Sequence, residues 1–405
     1  MNIEKHRHWL AFMVLIAVPI SGLNVDIIAP SLPAITQYFN VDKMWVQLLI
    51  TLGTIGFAIA VLIFASISDQ IGRKKPFLVA LLIYILVTFL APHSRNITEL
   101  LFLRLIQGLT IGCFVIPLRA ILSDLYVDKA FLKMMTYLAM AWAIGPIIAP
   151  VIGGYLQHYF GWHAPFYFLT IYATLLWLLN IIFVPETLHV KKSLMPKEIL
   201  ANYSVMLKNR DFIIGFTMIG ILYSMILLFA LAGPFLIQTV LHYSAIAFGH
   251  MALLMGIALL LGNISSRWLI DVDFELKILV CFILSFVTAF CMVLSSWCLG
   301  INIYFLIIPI FILFYLGGIA YPAYYGRTLA LFPNFAGTAN GLCMGLNCII
   351  CSLITAIAAI LKSKTALPLS FIYLTLSVIC LLLELYRRNL GGQRSAQREA
   401  HSTSA

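Results

Sequence analysis

Three polar side chains in a strongly apolar chain pose the chemical question. Asp26 sits in Leu23-Asn24-Val25-Asp26-Ile27-Ile28-Ala29-Pro30, near the end of the first apolar run. Arg104 and Gln107 sit in Leu103-Arg104-Leu105-Ile106-Gln107-Gly108, inside a later one. An ionisable side chain at bilayer depth costs at least ~2.5 kcal/mol to insert, so such groups pair, meet water in a cavity, or carry ions and protons. A carboxylate whose surroundings change with conformation changes its proton affinity with them. This is proton-handling chemistry rather than bond making. The sequence holds no Walker A run, nucleophile elbow or H-E-x-x-H, which excludes those routes to ATP or peptide hydrolysis. An enzyme is not expected, and neither a cofactor nor a metal site.

The elements that position these residues follow from composition. The chain has 405 residues, 62% hydrophobic and only 10% charged, against roughly 25% charged in soluble domains. Mean hydropathy is +1.03. No water-soluble fold hides that much apolar surface, so the fold class is an all-α polytopic membrane protein. The ~10-residue alternating segments of a membrane β-barrel are absent. The formal charge of +10 reflects basic residues between apolar runs, which points to membrane orientation rather than nucleic acid. The eight cysteines lie almost wholly inside apolar runs, and Cys348 and Cys351 form a C-x-x-C without a βαβ context or His partners. They read as small packing residues. Lys5 and Arg7 precede a run too long for a signal peptide, so an uncleaved first helix is expected.

A spanning helix needs ~20 apolar residues. Twelve runs qualify, at roughly 9–29, 45–67, 76–92, 99–121, 133–156, 164–184, 212–237, 244–269, 276–296, 300–325, 337–361 and 367–386. With the N-terminus in the cytoplasm, 20 of the 25 Lys and Arg fall on the inner side. Lys43, Arg95, Lys362 and Lys364 fall outside, and Arg104 alone lies within a span. The positive-inside rule then places both termini in the cytoplasm. The long polar connection 185–211 divides the chain into a six-helix bundle at 1–184 and another at 212–386. Within it, Ile199, Leu200, Tyr203, Met206 and Leu207 recur at helical spacing between Lys197 and Lys208, as in an amphipathic helix on the inner surface. The polar tail 387–405 reads as disordered. Asn96-Ile97-Thr98-Glu99 fits a helix N-cap better than a glycosylation sequon.

Arg104, soon after Glu99 in an inward-running helix, is level with Asp26 in an outward-running one. The two can pair, with Gln107 one turn away from Arg104 on the same face. Alternatively Arg104 snorkels to the outer headgroups and Asp26 is solvated. Loop 2–3 offers Asp69, Gly72, Arg73 and Lys74, in which a glycine turn and cations beside a carboxylate can form a charge-bridged hinge; an ordinary basic loop would look similar. Helix 5 carries Gly145-Pro146-Ile147-Ile148-Ala149-Pro150-Val151-Ile152-Gly153-Gly154. Two prolines invite kinks and glycines permit close backbone approach. That suits a hinge between bundles, or simply a close-packed helix.

These stretches resemble the major facilitator superfamily. Asp69, Gly72, Arg73 and Lys74 match its G-x-x-x-D-R-x-G-R-[RK] loop, with Ala65 and Gln70 departing from it. The R-x-x-Q-G run and an acidic residue before A-P-x-L-P are similar too. Gly145, Pro146, Pro150, Gly153 and Gly154 resemble the antiporter signature of the drug-exporting branches, with Ala149 replacing a glycine. Val184-Pro185-Glu186 looks like those branches too, and Gly233-Pro234-Phe235 resembles the bicyclomycin-resistance type of drug/proton antiporter. The resemblance implies twelve helices in two bundles and alternating access in an inner or plasma membrane. It also implies proton-driven export of small amphipathic molecules by a monomer. Protons, the bilayer and a small-molecule substrate are the expected partners, and the proton gradient the energy source. A second acidic residue in helix 1 is missing, since Val18 and Ser21 occupy its region. A specific metabolite, such as a siderophore or other metal chelator, is therefore the alternative cargo.

Overall fold

The computed structural model describes the backbone of residues 3–126, 128–186, 196–333, 336–361 and 365–403. Among these there is no strand, and twelve helical stretches are long and apolar enough to cross a bilayer. They are span 1 (Arg7–Phe39), span 2 (Lys43–Phe64), span 3 (Lys74–His93), span 4 (Ile97–Leu125), span 5 (Asp128–Phe160), span 6 (Ala164–Phe183), span 7 (Arg210–Val240), span 8 (Ala245–Trp268), span 9 (Phe274–Cys298), span 10 (Ile303–Ala330), span 11 (Gly337–Ile360) and span 12 (Leu367–Asn389). Each predicted run overlaps one of them. The chain is an all-α polytopic membrane protein. An even number of crossings leaves residues 7 and 389 on one face, called here the terminal face; the other is the far face.

Span 1 extends well past the predicted 29. It is built from helices Ile3–Ala17 and Pro19–Asp26, a 3-10 turn Ala29–Ser31 and a helix Leu32–Phe39. Pro19, Pro30 and Pro33 each stand at the first or second position of a new segment, where a missing N–H costs nothing. The prolines therefore restart the helix and leave Asp26 well inside the span. In span 7, Pro234 ends the α-helix, and a π-helical turn Phe235–Val240 carries the span onward. The last helix runs Leu367–Thr403, so the backbone stays helical where polar composition predicts a disordered tail. Its continuation starts from Glu384, Arg387 and Arg388, whose i,i+3 and i,i+4 ion pairs favour helix.

Of the 185–211 connection, 187–195 lie outside the described residues. The predicted amphipathic helix spans Pro196–Lys208 and packs against spans 7 and 11. The expected cap is present, with Glu99 N–H donating to Asn96 Oδ1 at 2.9 Å.

Small residues let the central helices touch. A Cβ on Gly108 of span 4 would lie 2.0 Å from the Gly53 carbonyl oxygen of span 2. One on Gly153 of span 5 would lie 2.0 Å from the Ile27 carbonyl of span 1. Spans 1–6 meet spans 7–12 along two main seams, span 2 with span 11 and span 5 with span 8.

Candidate functional site

Arg104 is fully buried in span 4. Its Nη1 donates to the Asn24 carbonyl and to Asn24 Oδ1, both at 3.2 Å, and to Gln107 Oε1 at 2.9 Å. Nη2 donates to the Asn24 carbonyl and Nε to the Leu49 carbonyl. Gln107 Nε2 donates to Thr88 Oγ1 at 2.9 Å, and the Tyr84 hydroxyl donates to Asn24 Oδ1 at 3.0 Å. Spans 1, 2, 3 and 4 are thus tied through one guanidinium.

The predicted ion pair between Asp26 and Arg104 is not formed. Residues two apart on a helix point about 200° away from each other, at ~100° per residue. Asn24 and Asp26 therefore face opposite ways, and only one can meet Arg104. Asn24 does. Arg104–Gln107 contact is present, as the one-turn spacing implies.

Asp26 instead lines a central cavity of about 1060 Å³. It is half-buried there and has no hydrogen-bond or ion-pair partner among the described residues. Both halves of the chain build the walls. Spans 1, 2, 4 and 5 contribute Ser21, Asn24, Thr54, Ile111 and Trp142; spans 7, 8, 10 and 11 contribute Tyr223, Phe229, Phe248, Tyr321, Tyr325 and Cys348. Among the described residues Asp26 is the only carboxylate on the lining, and Arg267 and Lys277 are its cations, near the terminal face. The Trp142 indole N–H donates to Ser21 Oγ. The Tyr321 and Tyr325 rings stack 5.8 Å apart, and the Tyr325 hydroxyl donates to Asn340 Oδ1 at 2.7 Å. Which aromatics of span 10 face the cavity depends on how the helix is rotated.

The cavity is closed toward the far face. A Cβ on Gly249 of span 8 would lie 2.6 Å from the Pro150 carbonyl, and one on Gly154 would lie 2.7 Å from that of Ala245. Gln238 Nε2 donates to the Pro30 carbonyl at 2.9 Å, Gln47 Nε2 to the Leu231 carbonyl at 3.0 Å, and Thr51 Oγ1 to Thr355 Oγ1 at 3.1 Å. Every one of these contacts joins spans 1–6 to spans 7–12. The helix 5 residues serve both sides of the seam. Gly145 and Pro146 pack on Pro19 and Gly22 of span 1, Gly153 on Ile27, and Pro150 and Gly154 on span 8. Toward the terminal face the lining continues through Thr136, Asn263, Ser266, Arg267 and Ile270, so access is from that side.

Loop 2–3 is held at the terminal face. Gly72 adopts φ +108°, a region that disfavours any side chain. Beyond it, the Arg73 and Lys74 N–H groups donate to Glu186 Oε1 and Oε2 at 2.9 and 3.1 Å. One carboxylate thereby caps the N-terminus of span 3, where the helix dipole favours an anion. Arg73 is buried and pairs with Asp124 at 3.4 Å, and Lys74 Nζ donates to the Ile181 carbonyl. The side chain of Asp69 lies outside the described residues.

A second buried charge cluster was not read from the sequence. Glu384 of span 12 is fully buried. It pairs with Arg387 at 2.7 Å and Arg388 at 3.1 Å and accepts from the Tyr324 hydroxyl. Arg387 also reaches Glu275, which starts span 9, at 3.3 Å. The Glu384, Arg387, Arg388 spacing was the available signal, at i, i+3 and i+4. Among the described residues no group of three or more His, Cys, Asp or Glu is placed to hold a metal ion, and the eight cysteines are free thiols.

The chain belongs to the Major Facilitator Superfamily, whose sequence pattern it matches over residues 14–355. It is therefore a membrane transporter. A Bacillus subtilis MFS-type transporter of uncharacterised role is 27% identical over 380 residues, covering 93% of this chain and 94% of that one. A Haemophilus influenzae bicyclomycin resistance protein homolog is 23% identical over 381 residues, covering 92% and 94%. Among solved structures, a POT family transporter in complex with 5-aminolevulinic acid superposes with a TM-score of 0.74 at 14% identity, covering 95% of this chain and 96% of that chain. That likeness concerns the fold alone.

Proposed function

We propose that this protein exports small amphipathic, drug-like molecules across an inner or plasma membrane against an inward flow of protons. Its termini are cytoplasmic, so the cavity described above opens inward. Two six-helix halves rock about the cavity, and the far seam between spans 5 and 8 separates when it opens outward. The observation that carries the reading is Asp26. Its carboxylate stands on the wall of the cavity shared by both halves, with no partner to hold its proton state fixed. Loss or gain of a proton there changes the charge of the substrate cavity itself. An uncompensated charge at bilayer depth is costly, so a proton carried on Asp26 lowers the cost of passing through an occluded state. Arg104 is not its counter-ion; it fixes the frame of spans 1–4 through Asn24 and Gln107. The bicyclomycin-resistance name of the Haemophilus relative supports a drug-like cargo.

The test uses the full chain in liposomes with an imposed pH gradient and a panel of antibiotics and metal chelators. Export of at least one compound that collapses with a protonophore supports the reading. Transport that ignores the protonophore overturns the proton coupling, and transport of chelators alone overturns the drug-like cargo.

A further inference from the structure

A second cavity, of about 480 Å³, lies on the far side of the seam between the halves. Both halves wall it. Pro33 and Gln37 of span 1 and Gln157 and His158 of span 5 share it with Gln238 of span 7 and with His242, in the turn between spans 7 and 8. Ala29 lines the central cavity and Pro33 this one, so little more than one helical turn of span 1 separates the two. The Gln238–Pro30 hydrogen bond crosses that partition. His158, His242 and Tyr243 are exposed, so the cavity meets the water of the far face.

Its lining carries polar atoms without partners. The His158 ring meets the Tyr159 ring edge-on at 4.9 Å. Neither its imidazole nor that of His242 makes a hydrogen bond or ion pair among the described residues. Gln157 Oε1 is buried and unpaired as well. His242 holds φ +59°, a conformation that residues other than glycine rarely adopt and that clusters at ligand sites. Among the described residues the lining has no carboxylate, thiol, lysine or arginine. This donor set selects by its chemistry. Calcium and magnesium need carboxylate and carbonyl oxygens in number, and soft cations need sulfur. Imidazole with an amide oxygen and water suits the borderline divalent ions, zinc, nickel and copper(II). Both imidazoles stand on exposed side chains that are free to turn, so their nitrogens can converge on one ion at ~2.0–2.1 Å.

We propose that His158 and His242 hold one divalent ion of the zinc class across the far seam, with Gln157 Oε1 and water completing its coordination. Two imidazoles make a weaker site than the four ligands of a structural zinc centre, which suits a reversible regulator arriving from the far side. His158 belongs to spans 1–6 and His242 to spans 7–12, so a bound ion pins the far seam shut and stops the central cavity from opening outward. That consequence rests on the rocking motion proposed above; the binding itself does not. No sequence spacing links the two histidines, which stand in different halves of the chain.

The test is zinc binding by isothermal titration calorimetry, on the full chain in detergent after treatment with a chelator. Loss of an outer-shell partner already costs about 10–100-fold in metal affinity, so His158→Gln and His242→Gln are each expected to weaken zinc tenfold or more. His250→Gln, on span 8 beside Tyr155, is the control and should bind as the wild-type chain does. No zinc binding, or binding that neither variant weakens, overturns the site. Hydrogen exchange on the wild-type chain tests the bridge without any substitution. Zinc should slow exchange both around His158 and around His242, and slowing at one of them alone overturns the bridge. Should either variant fail to fold, this second measurement still decides. Absence of proton-driven drug export would refute the function proposed above and leave both measurements standing.

Discussion

Replacing Asn24 by leucine separates the arrangement described here from the alternative in which Asp26 neutralises Arg104. The substitution keeps the backbone carbonyl that Arg104 uses but removes Oδ1, which accepts from Tyr84 and from Arg104 Nη1. Both donors are buried. Arg104 Nη1 keeps the Asn24 carbonyl and Gln107 Oε1, so the main loss is the acceptor of the buried Tyr84 hydroxyl, about 1–3 kcal/mol. Asp26→Asn removes no bond, and it relieves the burial of an uncompensated carboxylate. Thermal unfolding in detergent should therefore show a fall of several degrees in Tm for Asn24→Leu and none for Asp26→Asn. A double-mutant cycle with Arg104→Met sharpens the comparison. Residues within one hydrogen-bond network couple by about 0.5–3 kcal/mol, so Asn24 and Arg104 should be non-additive while Asp26 and Arg104 add. The reasoning is refuted if Asp26→Asn destabilises as much as Asn24→Leu, or if Asp26 and Arg104 prove to be the coupled pair.

Other parts of the structure make separate predictions. Gly249→Leu places a side chain against the Pro150 carbonyl and holds the far seam apart. A cysteine introduced at Gln37, which lines a smaller cavity at that seam, should then react faster with an aqueous maleimide, while transport is lost. Glu186→Ala strands the Arg73 and Lys74 N–H groups and should cost about 0.5–2 kcal/mol, the value of a helix cap. Faster hydrogen exchange at residues 73–75 is the readout. Glu384→Leu leaves Arg387 without its main counter-ion and should cost about 3–5 kcal/mol, whereas Glu384→Leu/Arg387→Met should recover most of the loss. Unfolding midpoints of the two variants settle the comparison.

What the sequence made legible, and what it did not, follows from the range of each signal. The twelve spans were readable because run length and the Lys/Arg bias are local and repeated. Asn96 as a cap needed only four consecutive residues. The helix 5 motif was readable as a close-packing element, because glycine and proline have few other reasons to cluster in a span. The partner of Arg104 was misread, since opposite charge favours Asp26 over a neutral amide two residues away. Helical rotation decided against charge, and rotation is fixed by packing, chiefly on span 5. Span 1 outran its predicted end because prolines at the start of a segment prolong a helical path as readily as they break one. Glu186 was noticed as part of a motif, yet its role as the cap of span 3 requires a contact across more than a hundred residues. The cavity and its ring of tyrosines exist only in the assembled helices.

Asp26→Asn in liposomes tests most directly whether Asp26 couples protons to transport. Two rates are measured for a compound the wild-type chain exports: accumulation driven by a pH gradient, and exchange at equal pH with substrate on both sides. The predicted result is loss of gradient-driven accumulation with exchange preserved, because the halves still rock but no proton is carried. Gradient-driven accumulation at the wild-type rate would contradict the claim that Asp26 couples protons to transport.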